Sequence, residues 1–217
     1  MVMGLLLEAD SIYYSVGGRD ILRGTYITCK QGELVALLGR NGCGKSTMLE
    51  VVFGTRKANN AFIRIGRKTI KSKAYRTGLV RMLPQFDYIP KTLSVKKILK
   101  MEGIAPEAVH DELISNILAH KISELSAGTL RYFQTFTLLN SAAPFIILDE
   151  PFAGLSPIAV DRVLNLLKEA KGKKGIIVSD HNFEAIERIA DHLIYMEDGQ
   201  TKEVKNMEEL NGIYYRM

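Results

Sequence analysis

The chain has 217 residues, 47% of them hydrophobic and 24% charged, enough apolar surface for one good core. A net charge of +5 suits nucleotides, anionic membrane surfaces or nucleic acid and selects none of them. Two cysteines, Cys29 and Cys43, are too few for a disulfide framework, and no apolar run is long enough to cross a bilayer.

In chain order, the first third reads as β-rich. The apolar run Met1 to Leu7 is short, without a basic flank or a small-residue cleavage site, and Glu8 and Asp10 follow at once. It reads as the start of a strand reaching from Leu5 to Tyr14, with a turn at Gly17-Gly18. Thr25 to Cys29 and Leu34 to Leu38 are the next strands, and the wholly apolar second one predicts burial on both faces. Ser46 to Phe53 reads as a helix, Ala61 to Ile65 and Gly78 to Leu83 as strands, and Ser94 to Lys100 and Pro106 to Ala119 as short helices. Gly128 to Leu139 is helical, Phe145 to Leu148 is a second fully apolar strand, and Ile158 to Ala170 is an amphipathic helix. Gly175 to Val178 is a third buried strand, Phe183 to Ile189 a helix, and His192 to Met196 a strand closed by the turn Asp198-Gly199. Strands alternating with helices imply an α/β fold with a mostly parallel sheet. The β-rich start adds a small antiparallel piece.

The segment Gly39-Arg40-Asn41-Gly42-Cys43-Gly44-Lys45-Ser46 fits G-x-x-x-x-G-K-[ST] without a gap, and Thr47 follows it. Each residue type has a task in that pattern. Glycines let the backbone wrap phosphates with N–H groups turned inward. The helix beginning at the lysine adds its positive end. Lys45 supplies a point charge to the β- and γ-phosphates, and the Ser46 hydroxyl a ligand for magnesium. The motif sits between a buried strand and a helix, as that chemistry requires, so ATP with Mg2+ is the expected ligand pair.

A phosphate loop needs an acidic strand end beside it. Phe145-Ile146-Ile147-Leu148-Asp149-Glu150 delivers two carboxylates to the carboxyl edge of the sheet. Asp149 is placed to hold magnesium, and Glu150 to polarise an attacking water.

Four further features follow in order: Gln85 after Met82-Leu83-Pro84, Leu125-Ser126-Ala127-Gly128-Thr129 before a helix, Phe152 to Pro157 after the acids, and His181 after a buried strand. Alone, Gln85 reads as a solvated loop residue, Ser126 as a helix N-cap and His181 as an ordinary polar side chain. Their order and spacing make the chain resemble the ATP-binding cassette (ABC) transporter ATPases from its first strand to Gly199. That resemblance implies one domain over residues 1–217: a P-loop NTPase core, an N-terminal antiparallel β subdomain and a helical subdomain at about 86–140. It implies that Gln85 touches magnesium and water, that His181 contacts the γ-phosphate, and that Ser126 and Gly128 grip ATP held by a second subunit. Catalysis then falls to Glu150, His181 and Gln85, and the metal to Ser46, Gln85 and Asp149. The implied partners are a transmembrane permease and a second copy or a related ATPase, at the cytoplasmic face of a membrane.

Several positions depart from the family pattern. The signature Leu-Ser-Gly-Gly-Gln reads Leu125-Ser126-Ala127-Gly128-Thr129, and the aspartate expected after Gly154-Leu155 is Ser156. These changes predict ATP binding with slow hydrolysis. The aromatic residue that stacks on adenine falls at Val16, with Tyr14 two residues earlier on the same strand face. Cys43 inside the loop predicts that thiol alkylation blocks ATP. The basic run Arg64, Arg67, Lys68, Lys71, Lys73, Arg76 and Arg81 is read as a solvated face rather than a nucleic-acid surface, because only Tyr75 is interleaved for stacking. A non-transport nucleotide switch and a nucleic-acid-associated ATPase are the rival readings.

Overall fold

The computed structural model describes residues 4–71, 73–206 and 208–209, so the first three residues of the apolar N-terminal run lie outside it. Strands β1 (Leu6–Val16) and β2 (Arg19–Lys30) form an antiparallel hairpin. Its turn uses Gly17 and Gly18 at φ of 58° and 76°, a pair of positive angles that two-residue hairpin turns demand. Next come β3 (Leu34–Gly39), α1 (Lys45–Phe53), β4 (Asn60–Ile65), β5 (Lys68–Thr69) and β6 (Val80–Leu83). A helical stretch holds α2 (Val95–Met101), α3 (Glu112–Ile117) and α4 (Ala127–Leu139). The chain then runs through β7 (Phe145–Asp149), α5 (Pro157–Lys171), β8 (Gly175–Ser179), α6 (Phe183–Glu187), β9 (His192–Glu197) and β10 (Gln200–Val204).

Two sheets result. One is antiparallel, in the order β2-β1-β4-β5. The other has the order β10-β9-β3-β8-β7-β6, parallel from β9 through β6 with β10 antiparallel at its edge. Alternation along β3 shows how the layers stack. Leu34, Ala36 and Leu38 join a core with α2 to α6, whereas Val35 and Leu37 join a core with α1 and the antiparallel sheet. All six residues of β3 are buried, and truncating one such leucine to alanine costs about 2–5 kcal/mol.

The larger differences from the sequence expectations are these. Pro106 to Ala119 is not one helix but a 3-10 turn over Pro106–Ala108 followed by α3. Val109 is extended at ψ 113°, and Asp111 starts α3 afresh by accepting the Ile114 amide. The second strand begins at Arg19 rather than Thr25, and β10 carries no apolar alternation, with only Val204 buried. β10 is an exposed stretch, and the start of β2 has Leu22 as its one buried side chain before Thr25, so side-chain pattern reports neither clearly.

Candidate nucleotide site

Parallel strands deliver their carboxyl ends to one edge of the sheet, and the site is built there. The loop after β3 is shaped by glycine. A Cβ at Gly39 would lie 2.4 Å from the Met196 carbonyl oxygen and 2.8 Å from Cys43 Sγ. Gly44, at φ 113°, is the last residue before α1, and the Met48 amide donates to its carbonyl at 2.9 Å. The Cys43 amide donates to Arg40 O at 3.3 Å, which curls the loop on itself. Lys45 is buried despite its charge. Its Nζ donates to Gly39 O at 2.7 Å and Arg40 O at 3.1 Å, and these carbonyls hold the cation inside the curl.

Asp149 closes β7 with 1% of its surface exposed. Burial pushes its carboxyl above the usual range, opposed by a hydrogen bond with the Ser46 side chain and reinforced by the nearby Glu150 charge. Its Oδ1 is buried without a hydrogen-bond partner. Glu150 then leaves the strand in a left-handed conformation, φ 55°, with its amide donating to Ser179 O at 2.6 Å. That turn aims the carboxylate back over the loop. Oε2 accepts from Gln85 Nε2 at 3.3 Å, and Oε1 lies 3.1 Å from His181 Nε2. One open cleft is lined by Asn41, Gly42, Gly44, Lys45, Ser46 and Thr47 on one side and by Gln85, Glu150 and His181 on the other. Arg40, exposed, and Cys43, half-buried, do not line this cleft but a neighbouring pocket shared with Asn41 and Gly42.

Ser126 and Gly128 are not part of this cleft. Ser126 Oγ accepts the Thr129 amide at 3.1 Å and lies 2.8 Å from the Thr129 hydroxyl, so it caps α4. A Cβ at Gly128 would lie 2.6 Å from Gly154 O. Ser156 caps α5, accepting the Ala159 amide at 3.3 Å. Tyr14 and Val16 both line the far wall of the cleft. Val16 is 56% exposed, while the Tyr14 hydroxyl accepts from Arg56 Nη1 at 3.0 Å beneath that guanidinium.

One residue of the site escaped the sequence reading. Arg131 on α4 is only 6% exposed. It donates to Pro84 O at 2.7 Å, to Glu150 O at 3.0 Å and to Asp149 O. Its only sequence signal is that it is the one charge between Leu130 and Leu139.

The basic run is partly neutralised. Arg64 pairs with Glu8 at 2.5 Å, Arg81 donates to both oxygens of Glu102, and Arg76 lies over the Tyr75 ring. A second groove sits beside Arg81 and Glu102, walled by Phe53, Tyr75, Met82, Tyr88 and Leu138. Among the described residues, no helix is long and apolar enough to cross a membrane.

Comparison with known proteins places these features. A family model described as ABC transporter matches residues 22–153. The chain is 26% identical to a lipopolysaccharide export system ATP-binding protein of Acidithiobacillus ferridurans, over 96% of this chain and 93% of that one. It is 31% identical to a probable ABC transporter ATP-binding protein of Azorhizobium caulinodans, over 81% of this chain and 68% of that one. It spans 64% and 45% of two longer relatives. A nucleotide-free ATP-binding cassette from an ABC transporter superposes with a TM-score of 0.80 at 23% identity, covering 97% of this chain and 95% of that one.

Proposed function

The chain belongs to the ABC transporter family of ATP-binding proteins, and on that premise we propose that it is the ATP-hydrolysing motor subunit of a membrane transporter. One observation carries the reading of the site. Gln85 and His181 reach the carboxylate of Glu150 from two neighbouring strand ends, across the cleft from Lys45 and Ser46.

The chain's own groups then have distinct tasks. Loop amides and Lys45 hold the phosphates. Ser46, Asp149 and Gln85 would hold Mg2+, a hard cation that takes oxygen ligands and polarises a phosphoryl group. The fit rests on the buried, unpartnered Oδ1 of Asp149. Among the described residues no three His, Cys, Asp or Glu side chains cluster to hold a metal unaided, so the phosphates would complete the shell. Glu150 takes the proton of the attacking water, whose oxygen bonds the γ-phosphorus as the bridge to the β-phosphate breaks. His181 steadies the γ-phosphate from beside Glu150.

The other half of each site is assigned to a second copy. Ser126 and Gly128, at the start of α4, would grip the γ-phosphate bound to the partner, giving a head-to-tail pair around two ATP molecules. Residues 86–140 would act as a helical subdomain, and the groove beside Tyr75 and Tyr88 suits an apolar helix of a permease at the cytoplasmic face. Slow turnover is expected, because Ala127, Thr129 and Ser156 replace the family residues and the Thr129 hydroxyl occupies Ser126.

Glu150→Gln tests this reading. Removing the base should lower ATP turnover by about 100-fold or more, leave ATP affinity within about threefold, and trap an ATP-bound dimer on gel filtration. Unchanged turnover, or a monomer at saturating ATP, would sink the proposal.

A further inference from the structure

We propose that Arg131 is a positioning residue: with Gln134 it forms a buried latch through which α4 sets the placement of Gln85 and Glu150 in the chain's own site. The inference rests on the hydrolysis reading above and deepens it. Two segments that are far apart in sequence meet on one guanidinium, at the carbonyls of Pro84 and of the adjacent Asp149 and Glu150. Pro84 immediately precedes Gln85, and Glu150 carries the base. Arginine meets these carbonyls with three separate nitrogens of a planar fork, one to each, whereas a lysine carries all its donors on a single nitrogen and cannot reproduce that spread.

The hold is needed. Glu150 is a non-glycine residue at φ 55°, a conformation that persists only when neighbours impose it. Its amide is fixed by Ser179 O and its carbonyl by Arg131. With both ends tied, the carboxylate is presented to Gln85 and His181. Gln85 is bracketed in the same way. Arg131 holds the residue before it, and Gln134, one turn further along α4, donates to Asp87 two residues after it, in a long bond of 3.5 Å. Gln134 is fully buried and its Oε1 has no partner, so this end of the latch is the looser one.

A consequence follows from where α4 begins. Ser126, Gly128 and Arg131 share its first turns. A shift of this helix on meeting the second subunit is therefore carried to the base and the glutamine of the same chain. Arg131 touches no reacting atom in this scheme and acts only through Glu150 and Gln85.

Arg131→Lys separates positioning from mere packing. Turnover should fall by about 30-fold while the ATP dissociation constant changes by less than about threefold, since Lys45 and the loop amides are untouched. A readout without nucleotide accompanies it. In hydrogen–deuterium exchange of the full chain, segments 84–88 and 149–153 should exchange about tenfold faster, with β3 and β8 unchanged. Turnover and affinity falling together, unaltered turnover, or exchange rising uniformly would each overturn the latch. If Arg131→Lys does not fold, Gln134→Met carries the test. It is close in volume and removes only the Asp87 bond, so turnover should drop about threefold at unchanged melting temperature. An unchanged rate there overturns the proposal. A wild-type chain that fails to hydrolyse ATP would undo the functional reading instead, and the exchange measurement would still decide the latch.

Discussion

The two ends of the proposed composite site are built differently. At the phosphate-loop end, polar groups are held in costly conditions. Lys45 is buried on two carbonyls, Asp149 keeps a buried oxygen without a partner, and Glu150 is left-handed. At the signature end, the polar groups are satisfied within α4 itself. Ser126 caps its own helix, and Gly128 is explained by its approach to Gly154. One end therefore declares a ligand through groups held ready for it, and the other can be assigned a ligand only through a second molecule. Strain and unmet hydrogen bonds mark a site in one chain, whereas a site shared between chains looks locally ordinary.

The sharpest way to break that comparison is to damage the loop end alone. Cys43 Sγ sits where a Gly39 Cβ would meet it at 2.8 Å, so an alkyl group there must displace the loop. Alkylation is expected to weaken ATP binding by about 30-fold or more, and bound ATP to protect the thiol. The pH dependence has a definite sign. Burial raises the Cys43 thiol above its ordinary value, opposed by the Lys45 charge. The reactive thiolate is therefore scarce at neutral pH, and labelling should speed up about tenfold per pH unit below that value. Cys29, pushed by burial to about 12, should lag at every pH. Peptide mass spectrometry with a nucleotide titration checks both points, and full ATP affinity with Cys43 fully labelled would refute the placement.

A smaller effect is expected from the signature end. Gly128→Ala brings two opposed terms. Alanine favours a helix over glycine by about 1 kcal/mol. Its Cβ, however, would stand 2.6 Å from the backbone oxygen of Gly154, and overpacking against rigid backbone costs about 1–3 kcal/mol or more. The clash wins, because Gly154 O lies on main chain rather than on a flexible tip. The melting temperature should drop by a few degrees, about 2–4 °C per kcal/mol lost. Turnover should fall about tenfold as Arg131 is displaced with the helix. A variant as stable and active as wild type would mean that α4 and the 153–155 loop are free to separate.

Much of this arrangement was legible in the sequence, and the reasons are uneven. β3, β7 and β8 are unbroken apolar runs, so the core strands and the ends that carry the loop, the acids and His181 could be read directly. Gln85 and His181 were legible only through order and spacing, and the structure brings both to Glu150. Arg131 was not legible. Its task depends on three carbonyls in two distant segments, and main-chain acceptors leave no trace in residue identity. The Pro106 to Ala119 helix failed because local helical composition hid two competing starts, at Pro106 and at Asp111. Tyr14, the alternative to Val16 at the adenine position, has its hydroxyl engaged by Arg56, a contact between β1 and the loop after α1 that no spacing rule supplies.

The finest test restores the signature. Ala127 is exposed at the first position of α4, and the Thr129 hydroxyl lies 2.8 Å from Ser126 Oγ. The paired change Ala127→Gly with Thr129→Gln removes the hydroxyl contact and frees the backbone where the second subunit would meet it. Glycine there costs stability, but by less than about 1 kcal/mol, because the Ser126 cap on the residue 129 amide is kept. ATP affinity of the monomer should not move, since neither residue lines the cleft. Turnover should rise about three- to tenfold if these departures are the brake. A rise confined to concentrations at which the chain dimerises would tie the gain to the partner's site, because a site completed in trans depends on protein concentration where a site complete in one chain does not. An increase that is independent of concentration would place Ser126 in service to its own chain and overturn the division between the two ends.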